Sequence, residues 1–275
     1  MELSTELLLD RPALAVRDVL CPGSCRHPSA EEHAETTCLV FPYRGVFVRN
    51  IGRLDAVAEA NQLLFFNAAE GYRISHPVEG GDACLSLAVG EPWLRELAPA
   101  QQLRQGARLA FRSERLRIDA HTQALVALIR RSLRRQAAEP LEAETLVLQL
   151  VRRALGERTS HAPRGTSGRR RLVDRAKLVL SSDLGRRWTL ADVAAEVGTS
   201  AVYLTQLFRQ VEGMPLYQYQ LRLRLARALH LVARGDDLTR LSLDLGFSSH
   251  SHFTAAFRQL YGRPPAEFRR SIHPH

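Results

Sequence analysis

The last third of the sequence repeats itself. Each copy contains three spaced apolar residues and a glycine, followed by a second apolar stretch that ends in glycine and proline. The first group recurs at an offset of 48, where Leu190, Val193, Val197 and Gly198 match Leu238, Leu241, Leu245 and Gly246. The second group recurs at an offset of 49, where Leu204, Phe208, Arg209, Gln210, Gly213 and Pro215 match Phe253, Phe257, Arg258, Gln259, Gly262 and Pro264. The spacing predicts two copies of one helical unit.

Each copy has the local signals of a helix, a tight turn and a second helix. The turns fall at Gly198 and Gly246, where a positive φ is tolerated because glycine has no Cβ. Ser200 and Ser249 stand where the second helices begin, and serine is a favoured N-cap residue. Thr189, with an aspartate three residues later, resembles a capping box. These signals predict a helix-turn-helix, whose second helix lies in the major groove of DNA.

The outward face of each second helix supplies candidate base contacts. At about 100° per residue, the apolar positions fall on one side and short polar side chains on the other. Such side chains suit a groove, because an amide can pair with adenine and a small apolar group can contact the thymine methyl. An ordinary solvated helix face is the alternative. The candidates are Val202, Thr205 and Gln206 in the first copy, and His250, Ser251, Thr254 and Ala255 in the second.

Arginines near these helices are candidate phosphate contacts, since phosphate contacts fix the position of a protein on the duplex. Arg209 and Arg258 occupy equivalent positions in the two copies. A helix from Leu216 to Ala233, roughly 27 Å long, joins the copies and can hold them at about the 34 Å repeat of the duplex. The remaining candidates are Arg222 and Arg224 on that helix, and Arg263 after the second copy.

The positive charge of the chain is concentrated around the repeat. The formal net charge is +9, and residues 164–275 contain 18 Lys and Arg against 9 Asp and Glu, so the excess lies there. This asymmetry favours a polyanionic partner, nucleic acid ahead of membrane, over a merely solvated basic surface. A composition of 45% hydrophobic and 24% charged residues excludes a disordered chain, collagen and a disulfide-rich miniprotein.

The sequence has no pattern typical of a membrane span or a secretory signal. No uncharged apolar run approaches the roughly 18 residues of a membrane span. The first residues, up to Pro12, lack the basic flank of a secretory signal. We therefore expect a cytoplasmic protein without a membrane partner.

Residues 172–270 resemble the DNA-binding domain of the AraC-type (AraC/XylS) bacterial transcription regulators. The resemblance rests on LADVAAEVGTSAVYLTQLFRQVEGMPLYQY and LGFSSHSHFTAAFRQLYGRPPAEFR. Its most recognisable positions are Gly246, Phe247, Phe253, Phe257, Gly262, Pro265, Phe268 and Arg269. It implies double-stranded DNA and RNA polymerase as partners, and the same base contacts as above. Ser242 stands where the family usually has alanine, and the second outer face has few long polar side chains, which favours phosphate contact there.

The first 155 residues have a different pattern of apolar residues from the rest of the chain. Short apolar runs broken by Gly, Pro and Asn predict strands up to residue 117. Two helical patterns, Ala120–Gln136 and Leu141–Leu155, flank Pro140 and predict a hairpin. This order resembles the cupin-like effector domain and dimerisation helices of many AraC-type regulators. We expect an α+β multidomain chain with a small cupin-like β-barrel (1–117), a hairpin that forms a homodimer (118–155), a flexible linker (156–171) and an all-α double helix-turn-helix domain (172–275).

The cysteines of the first half are candidates for metal binding or redox sensing. Cys21, Cys25 and His27 lie close together in the sequence, and Cys84 follows a Gly-Gly-Asp turn. Thiolates suit Zn²⁺ or Cu⁺, and a thiol of lowered pKa can act as a redox switch. Burial as small apolar side chains is the alternative, above all for Cys38 and Cys84. No cofactor is otherwise expected.

A small-molecule effector is the other possibility for this half. Aromatic and polar side chains of a small barrel can line such a site, and core packing is the alternative for each of them. The candidates are Tyr43, Phe47, Phe66, Tyr72, Arg73 and His76.

We predict a sequence-specific transcription regulator, not an enzyme, whose first half senses a small molecule, a metal or an oxidant. A cupin-type metalloenzyme with an accessory nucleic-acid module is the alternative. It is disfavoured because the first half lacks the His-x-His pair with which enzymatic cupins bind metal. A third possibility is an architectural DNA-binding protein without an effector.

Overall fold

The computed structural model describes residues 3–23, 25–52, 54–104, 106 and 108–272. The first half consists mainly of strands, as the short apolar runs of its sequence predict. The strands are β1 (Ser4–Arg11), β2 (Leu14–Cys21), β3 (Glu32–His33), β4 (Cys38–Arg44), β5 (Phe47–Ile51), β6 (Leu54–Ala58), β7 (Gln62–Phe66), β8 (Gly71–Ser75), β9 (Asp82–Val89), β10 (Leu103–Arg104), β11 (Ala110–Phe111), β12 (Arg115–Ile118) and β13 (Ser160–His161).

Two antiparallel sheets face each other in this half. Over the described ranges, the larger sheet has the strand order β1-β2-β9-β4-β7-β12-β13, and the smaller has the order β3-β8-β5-β6. Side chains from both sheets, among them Phe47 and Phe66, form one apolar cluster between them. Strands β2 and β9 pair so that Cys21 lies opposite Asp82. That register brings together residues that are far apart in the sequence.

The helices follow the predicted order. They are α1 (Glu91–Leu97), α2 (Ala120–Arg134), α3 (Pro140–Leu155), α4 (Ser167–Ser182), α5 (Leu190–Glu196), α6 (Ala201–Glu212), α7 (Leu216–Arg234), α8 (Leu238–Asp244), α9 (His250–Tyr261) and α10 (Pro265–Ile272). The strand-rich first half and the helical second half confirm the predicted fold class. Within the described ranges, none of these helices is both long enough and apolar enough to cross a bilayer.

Helices α2 and α3 form the predicted hairpin. Asp119 caps α2 by accepting a hydrogen bond from the backbone N–H of Thr122 at 2.8 Å, and Pro140 occupies the first turn of α3. One side of α2, including Ile129, packs into the core of the larger sheet. The other side, including Leu128, packs against the second helix-turn-helix. Helix α2 is thus covered on both sides within one chain, and homodimerisation stays a prediction.

The segment predicted as a linker contains regular structure. β13 lies inside it and pairs with β12, and the imidazole of His161 lies 3.0 Å from the carbonyl oxygen of Val211. Helix α4 begins at Ser167, where Thr166 caps it. This segment has few apolar residues because it is partly exposed. It nevertheless contacts the rest of the protein.

Helix α7 joins the two helix-turn-helix units. Tyr219 and Leu223 in its first half complete the core of the first unit with α4, α5 and α6. Leu225 and Val232 in its second half belong to the core of the second unit with α8, α9 and α10. The apolar side chains of α7 therefore belong to the core of the first unit in one half of the helix and to the core of the second unit in the other half.

Candidate nucleic-acid interface and effector sites

The first helix-turn-helix consists of α5 and α6. Thr189 and Asp192 form the predicted capping box, with each side chain bonded to the other residue's backbone N–H. Gly198 makes the turn with a φ of 68°. Ser200 caps α6 by accepting a hydrogen bond from the backbone N–H of Tyr203. The predicted caps and turn of this unit are confirmed.

The two faces of α6 differ as the periodicity predicts. Leu204, Leu207 and Phe208 are fully buried in the core of the unit. Val202 is 69% exposed, and the candidate side chains Thr205, Gln206 and Arg209 are exposed beside it. Because these four side chains are exposed together on one side of α6, this face is accessible to a partner.

The second helix-turn-helix consists of α8 and α9. Gly246 has a φ of 76°, and Ser249 caps α9 through the backbone N–H of His252. The candidates that face outward are His250, Ser251, Ala255 and Arg258.

Thr254 departs from this face. Its hydroxyl oxygen is buried and has no hydrogen-bond partner within the described part of the chain. A hydroxyl without accessible surface is not placed to contact a base. The exposed base-contact candidates of this face are therefore His250, Ser251 and Ala255.

Two of the predicted phosphate contacts are used inside the protein. Arg222 donates a hydrogen bond to the carbonyl oxygen of Ile118 at 2.9 Å. Arg224 donates to the carbonyl oxygens of Leu184 and Arg186, each at 2.7 Å. The expectation of phosphate contacts at these positions is therefore corrected, because their guanidinium groups hold α7 against neighbouring backbone. Arg263 is half-buried, with its guanidinium 5.6 Å from the centre of the Phe268 ring.

A buried ionic seam joins the first half of the chain to the first helix-turn-helix. Arg115 of β12 binds both carboxylate oxygens of Asp174 on α4, at 2.6 and 3.0 Å. Lys177, the single lysine of the chain, lies 2.6 Å from Glu212 at the end of α6. Tyr219 completes the seam and donates to Glu59 from the first half. We call these six residues the ionic seam.

Opposite charges outweigh the effect of burial on the pKa values of Arg115 and Glu212 in the seam. Burial lowers the pKa of Arg115, but the carboxylates of Asp174 and Glu212 outweigh that effect and raise it. Burial raises the pKa of Glu212, but Lys177 and Arg115 outweigh that effect and lower it. Sequence reasoning missed this seam, because its members come from distant segments and no local pattern marks them.

An apolar seam joins α2 to the second helix-turn-helix. Ala120 belongs to the buried cluster that contains Leu229 and Phe257, and Leu128 packs against the same cluster. At its edge, Arg131 donates to the carbonyl oxygen of Ala233 at 2.7 Å. The two halves of the chain therefore meet through two chemically different surfaces.

A cavity of about 430 Å³ opens between the halves. Its walls come from the larger sheet, from α2 and from α7. Apolar side chains form part of the lining, and the charged or aromatic members are Tyr43, Arg44, Arg130, Arg131, Arg134, Arg135, His230 and Arg234. Of the predicted effector residues, only Tyr43 lies here.

The charge in this interdomain cavity is strongly positive. Burial, together with Arg130, Arg227, Arg234 and Arg44, lowers the pKa of His230 to about 3. Asp18 offsets part of this charge; it accepts from Tyr43 at 2.6 Å and lies 2.8 Å from Arg130. His230 is therefore neutral at physiological pH, and the cavity can accept an anion.

A second cavity, of about 330 Å³, lies between the two sheets of the first half. Its lining includes Phe47, Phe66, Tyr72 and His76 of the predicted effector residues, and Cys21, Cys25, Cys38 and Cys84. Arg73 is outside this lining; it is exposed and lies 3.4 Å from the carbonyl oxygen of Ser29.

The structure regroups the predicted metal or redox residues. Cys25 Sγ lies 3.4 Å from His76 Nδ1, and His76 Nε2 lies 2.6 Å from Asp82 Oδ1. Cys84 donates to Asp82 Oδ2 at 3.2 Å. His27 is exposed on the loop beyond Cys25, so it is replaced in the cluster by His76. Asp82 was missed by sequence reasoning, although its position directly after Gly80 and Gly81 marks a turn.

Comparison with known proteins agrees with the helical half. A family model described as a helix-turn-helix domain matches residues 193–271. A putative AraC-like transcription regulator of Streptomyces lividans is 29% identical over 157 residues, which are 55% of this chain and 51% of that protein. The probable transcriptional regulator LumQ of Photobacterium leiognathi is 29% identical over 161 residues, 55% of this chain and 61% of that protein. Matches to the curated relatives span from 30% to 61% of their lengths.

Solved structures also align with this chain. An AraC-type regulator from Chromobacterium violaceum is 28% identical and aligns over 40% of this chain and 98% of its own, with a TM-score of 0.37. ToxT from Vibrio cholerae is 10% identical and aligns over 96% of this chain and 99% of its own, with a TM-score of 0.38. The relatives are named as regulators rather than as enzymes, in agreement with the prediction of a non-enzyme. The C-terminal region of this chain is an AraC-type helix-turn-helix domain.

Proposed function

From this AraC-type domain, we propose that the chain is a transcription regulator that binds double-stranded DNA through both helix-turn-helix units. The observation that supports this most is the exposed outer face of each capped second helix. Two such faces, one on α6 and one on α9 and joined through α7, suit successive major grooves on one side of a duplex. The proposed base contacts are Val202, Thr205, Gln206, His250, Ser251 and Ala255, and the proposed phosphate contacts are Arg209, Arg258 and Arg263.

Selection of bound fragments from random duplex DNA tests this function. We expect the full chain to enrich a defined sequence. Gln206→Ala should relax the preference at one base pair, because an amide pairs bidentately with adenine. Gln149→Ala is the matched control, since Gln149 is exposed on α3, and it should leave the enriched sequence unchanged. Failure of the wild-type chain to enrich any sequence would contradict the proposal.

We further propose that the first half senses an effector and that an organic anion fits the interdomain cavity. The cavity offers arginines on three elements, represented by Arg44 of β4, Arg130 of α2 and Arg234 of α7. Apolar walls that include Leu20, Val126 and Leu229 suit the carbon skeleton of such a ligand. An occupant would contact both halves at once, so it would favour the arrangement of halves that closes the cavity. Promoter occupancy would then depend on the effector. Homodimerisation and contact with RNA polymerase remain predictions that belong to the same proposal.

An anionic fluorescent probe, anilinonaphthalene sulfonate, tests the cavity directly. We expect its fluorescence to rise on binding, and Arg234→Gln to weaken that binding, because the variant removes one cation from the lining. Arg240→Gln is the control, since Arg240 is exposed on α8 and lies outside the lining. Equal weakening by both variants would show only a general charge effect and would contradict an anion site in the cavity.

A further inference from the structure

Two loops of the first half approach each other so closely that only glycine fits between them. A Cβ on Gly81 would lie 2.2 Å from the carbonyl oxygen of Cys21, and a Cβ on Gly23 would lie 2.6 Å from the Cα of Gly81. Both glycines have positive φ, 72° at Gly23 and 64° at Gly81. This backbone contact fixes the loop after β2 against the loop before β9, and it places Cys21 beside Asp82.

The side chains gathered there have the donor atoms of a metal site. The Sγ of Cys21, a ring nitrogen of His76 and a carboxylate oxygen of Asp82 all lie within 4.8 Å of one another. Cys25 adds a second sulfur, 3.4 Å from His76 Nδ1. Ligand atoms around a tetrahedral Zn²⁺ are about 3.3–3.8 Å apart, given metal–ligand distances of 2.0–2.3 Å. Small rotations of Cys21, His76 and Asp82 would bring their three donors to that spacing. Cys25 lies at the other ring nitrogen of His76 from Asp82, so it would join them through a change of its rotamer.

We propose that Cys21, Cys25, His76 and Asp82 bind one Zn²⁺ per chain. Two sulfurs, one imidazole nitrogen and one carboxylate oxygen are a donor set that zinc accepts. Cys84 would hold the carboxylate of Asp82 in position for the metal, since it donates to the second oxygen of that group. The two thiolates and the carboxylate would exceed the charge of the ion by one.

The position of the site gives the metal a role in effector sensing. Leu20 and Ala83 line the interdomain cavity, and each is the chain neighbour of a residue in the zinc site. Arg44 lines the same cavity. Zinc on one side of the larger sheet would therefore fix the ends of β2 and β9. Because these strand ends also form part of the wall of the interdomain cavity on the other side, the metal would fix that wall as well. This role rests on the proposed effector cavity, whereas zinc binding itself does not.

The neighbouring thiol of Cys38 provides a matched control. Cys38 lines the same intersheet cavity, but its Sγ lies 3.3 Å from the carbonyl oxygen of Thr36 and it is outside the group of donors. Cys38→Ser makes the same atomic change as Cys21→Ser or Cys25→Ser. A difference between these variants therefore reports on the site and not on the loss of any cysteine.

Metal titration of the reduced, full-length protein without DNA tests the proposal. We expect Zn²⁺ to bind in a 1:1 ratio, and Co²⁺ to give thiolate-to-cobalt charge-transfer absorption. Cys21→Ser, Cys25→Ser and Asp82→Asn should each weaken Zn²⁺ binding at least tenfold, and Cys38→Ser should leave it unchanged. Far-ultraviolet circular dichroism checks that each variant is folded, and the wild-type titration stands even if a variant is not.

Two results would overturn the zinc site. One is wild-type protein that takes up no stoichiometric Zn²⁺ with its thiols reduced. The other is a loss of affinity in Cys38→Ser equal to that in Cys21→Ser. Neither measurement involves DNA, so a failure here is distinct from a failure of the proposed regulator function.

Discussion

The two helix-turn-helix units are built alike but are attached to the first half of the chain by different chemistry. The first unit is attached through the ionic seam, where Arg115 and Asp174 form a buried bidentate pair. The second is attached through the apolar seam, where Leu128 and Ala120 pack against its core. A buried ion pair is strongly destabilised when one partner is lost, whereas an apolar contact loses only the buried area that is removed. The first unit is therefore held in one specific position, and the second is held by packing that tolerates adjustment.

Arg115→Ala is expected to have the largest effect. It would leave Asp174 and Glu212 buried without their arginine partner, which costs about 3–5 kcal/mol in the free energy of unfolding. Leu128→Ala in the half-buried apolar seam should cost less, about 1–2 kcal/mol. Chemical denaturation measures both.

The matched control for Arg115 is Arg95→Ala. Arg95 forms an exposed pair with Glu91 at 3.2 Å, and exposed pairs contribute up to about 1 kcal/mol. If Arg115→Ala cost no more than Arg95→Ala, the seam would not hold the first unit in the way we describe.

Gln206→Ala comes next, and it compares the outer faces of the two units. The repeat places Ala255 where the first unit has Gln206, so only the first unit has an amide at this position. We expect a loss of about 1–3 kcal/mol in discrimination at one base pair. Binding to variants of the enriched sequence measures it. If Gln206→Ala lowered the affinity equally for all DNA sequences, Gln206 would position the protein on DNA without reading a base.

The pH dependence of the free energy of unfolding tests the environment of His230 in the interdomain cavity. Arg44 from β4, Arg130 from α2, and Arg227 and Arg234 from α7 face His230, and its ring lies 5.3 Å from that of Tyr43. Its folded pKa of about 3 is below the unfolded value of about 6.5. The unfolded chain therefore takes up a proton first as pH falls. Stability should be lost from about pH 6.5 downward, by on the order of 1 kcal/mol per pH unit.

His230→Gln removes this group and should flatten the acid limb of the stability profile. His121→Gln is its control, because His121 is exposed at the start of α2. Unfolding free energies between about pH 7 and pH 4 provide the comparison. A profile of His230→Gln identical to that of the wild type would show that His230 is not kept neutral by its neighbours.

The smallest effects are expected for the phosphate contacts. Arg209→Ala and Arg258→Ala should each lower the slope of log affinity against log salt by about one unit. Arg152→Ala is the control, since Arg152 is exposed on α3, and it should leave the slope unchanged. An effect of Arg209→Ala without one of Arg258→Ala would show that the second unit does not touch the DNA backbone.

Local features could be predicted from the sequence, and long-range pairing could not. The capping box at Thr189 and the turns at Gly198 and Gly246 depend on neighbours within a few residues, so the repeat shows them directly. Arg115 and Asp174 are 59 positions apart, and nothing in the sequence links them.

The same distinction explains the errors at the candidate sites. The position of Asp82 beside Cys21 depends on the register of β2 and β9, which the alternation of side chains does not specify. His27 was predicted from proximity in sequence, but it lies exposed on the loop beyond Cys25. Arg222 was predicted on a helix face without knowledge that Ile118 would supply a carbonyl oxygen within 2.9 Å.

Hydroxyl-radical footprinting of the full chain on its selected sequence tests most directly whether both units bind DNA. The account predicts two protected segments per bound chain, about one helical turn apart and on the same face of the duplex. A single protected segment, or protection of the same extent on unrelated DNA, would contradict it.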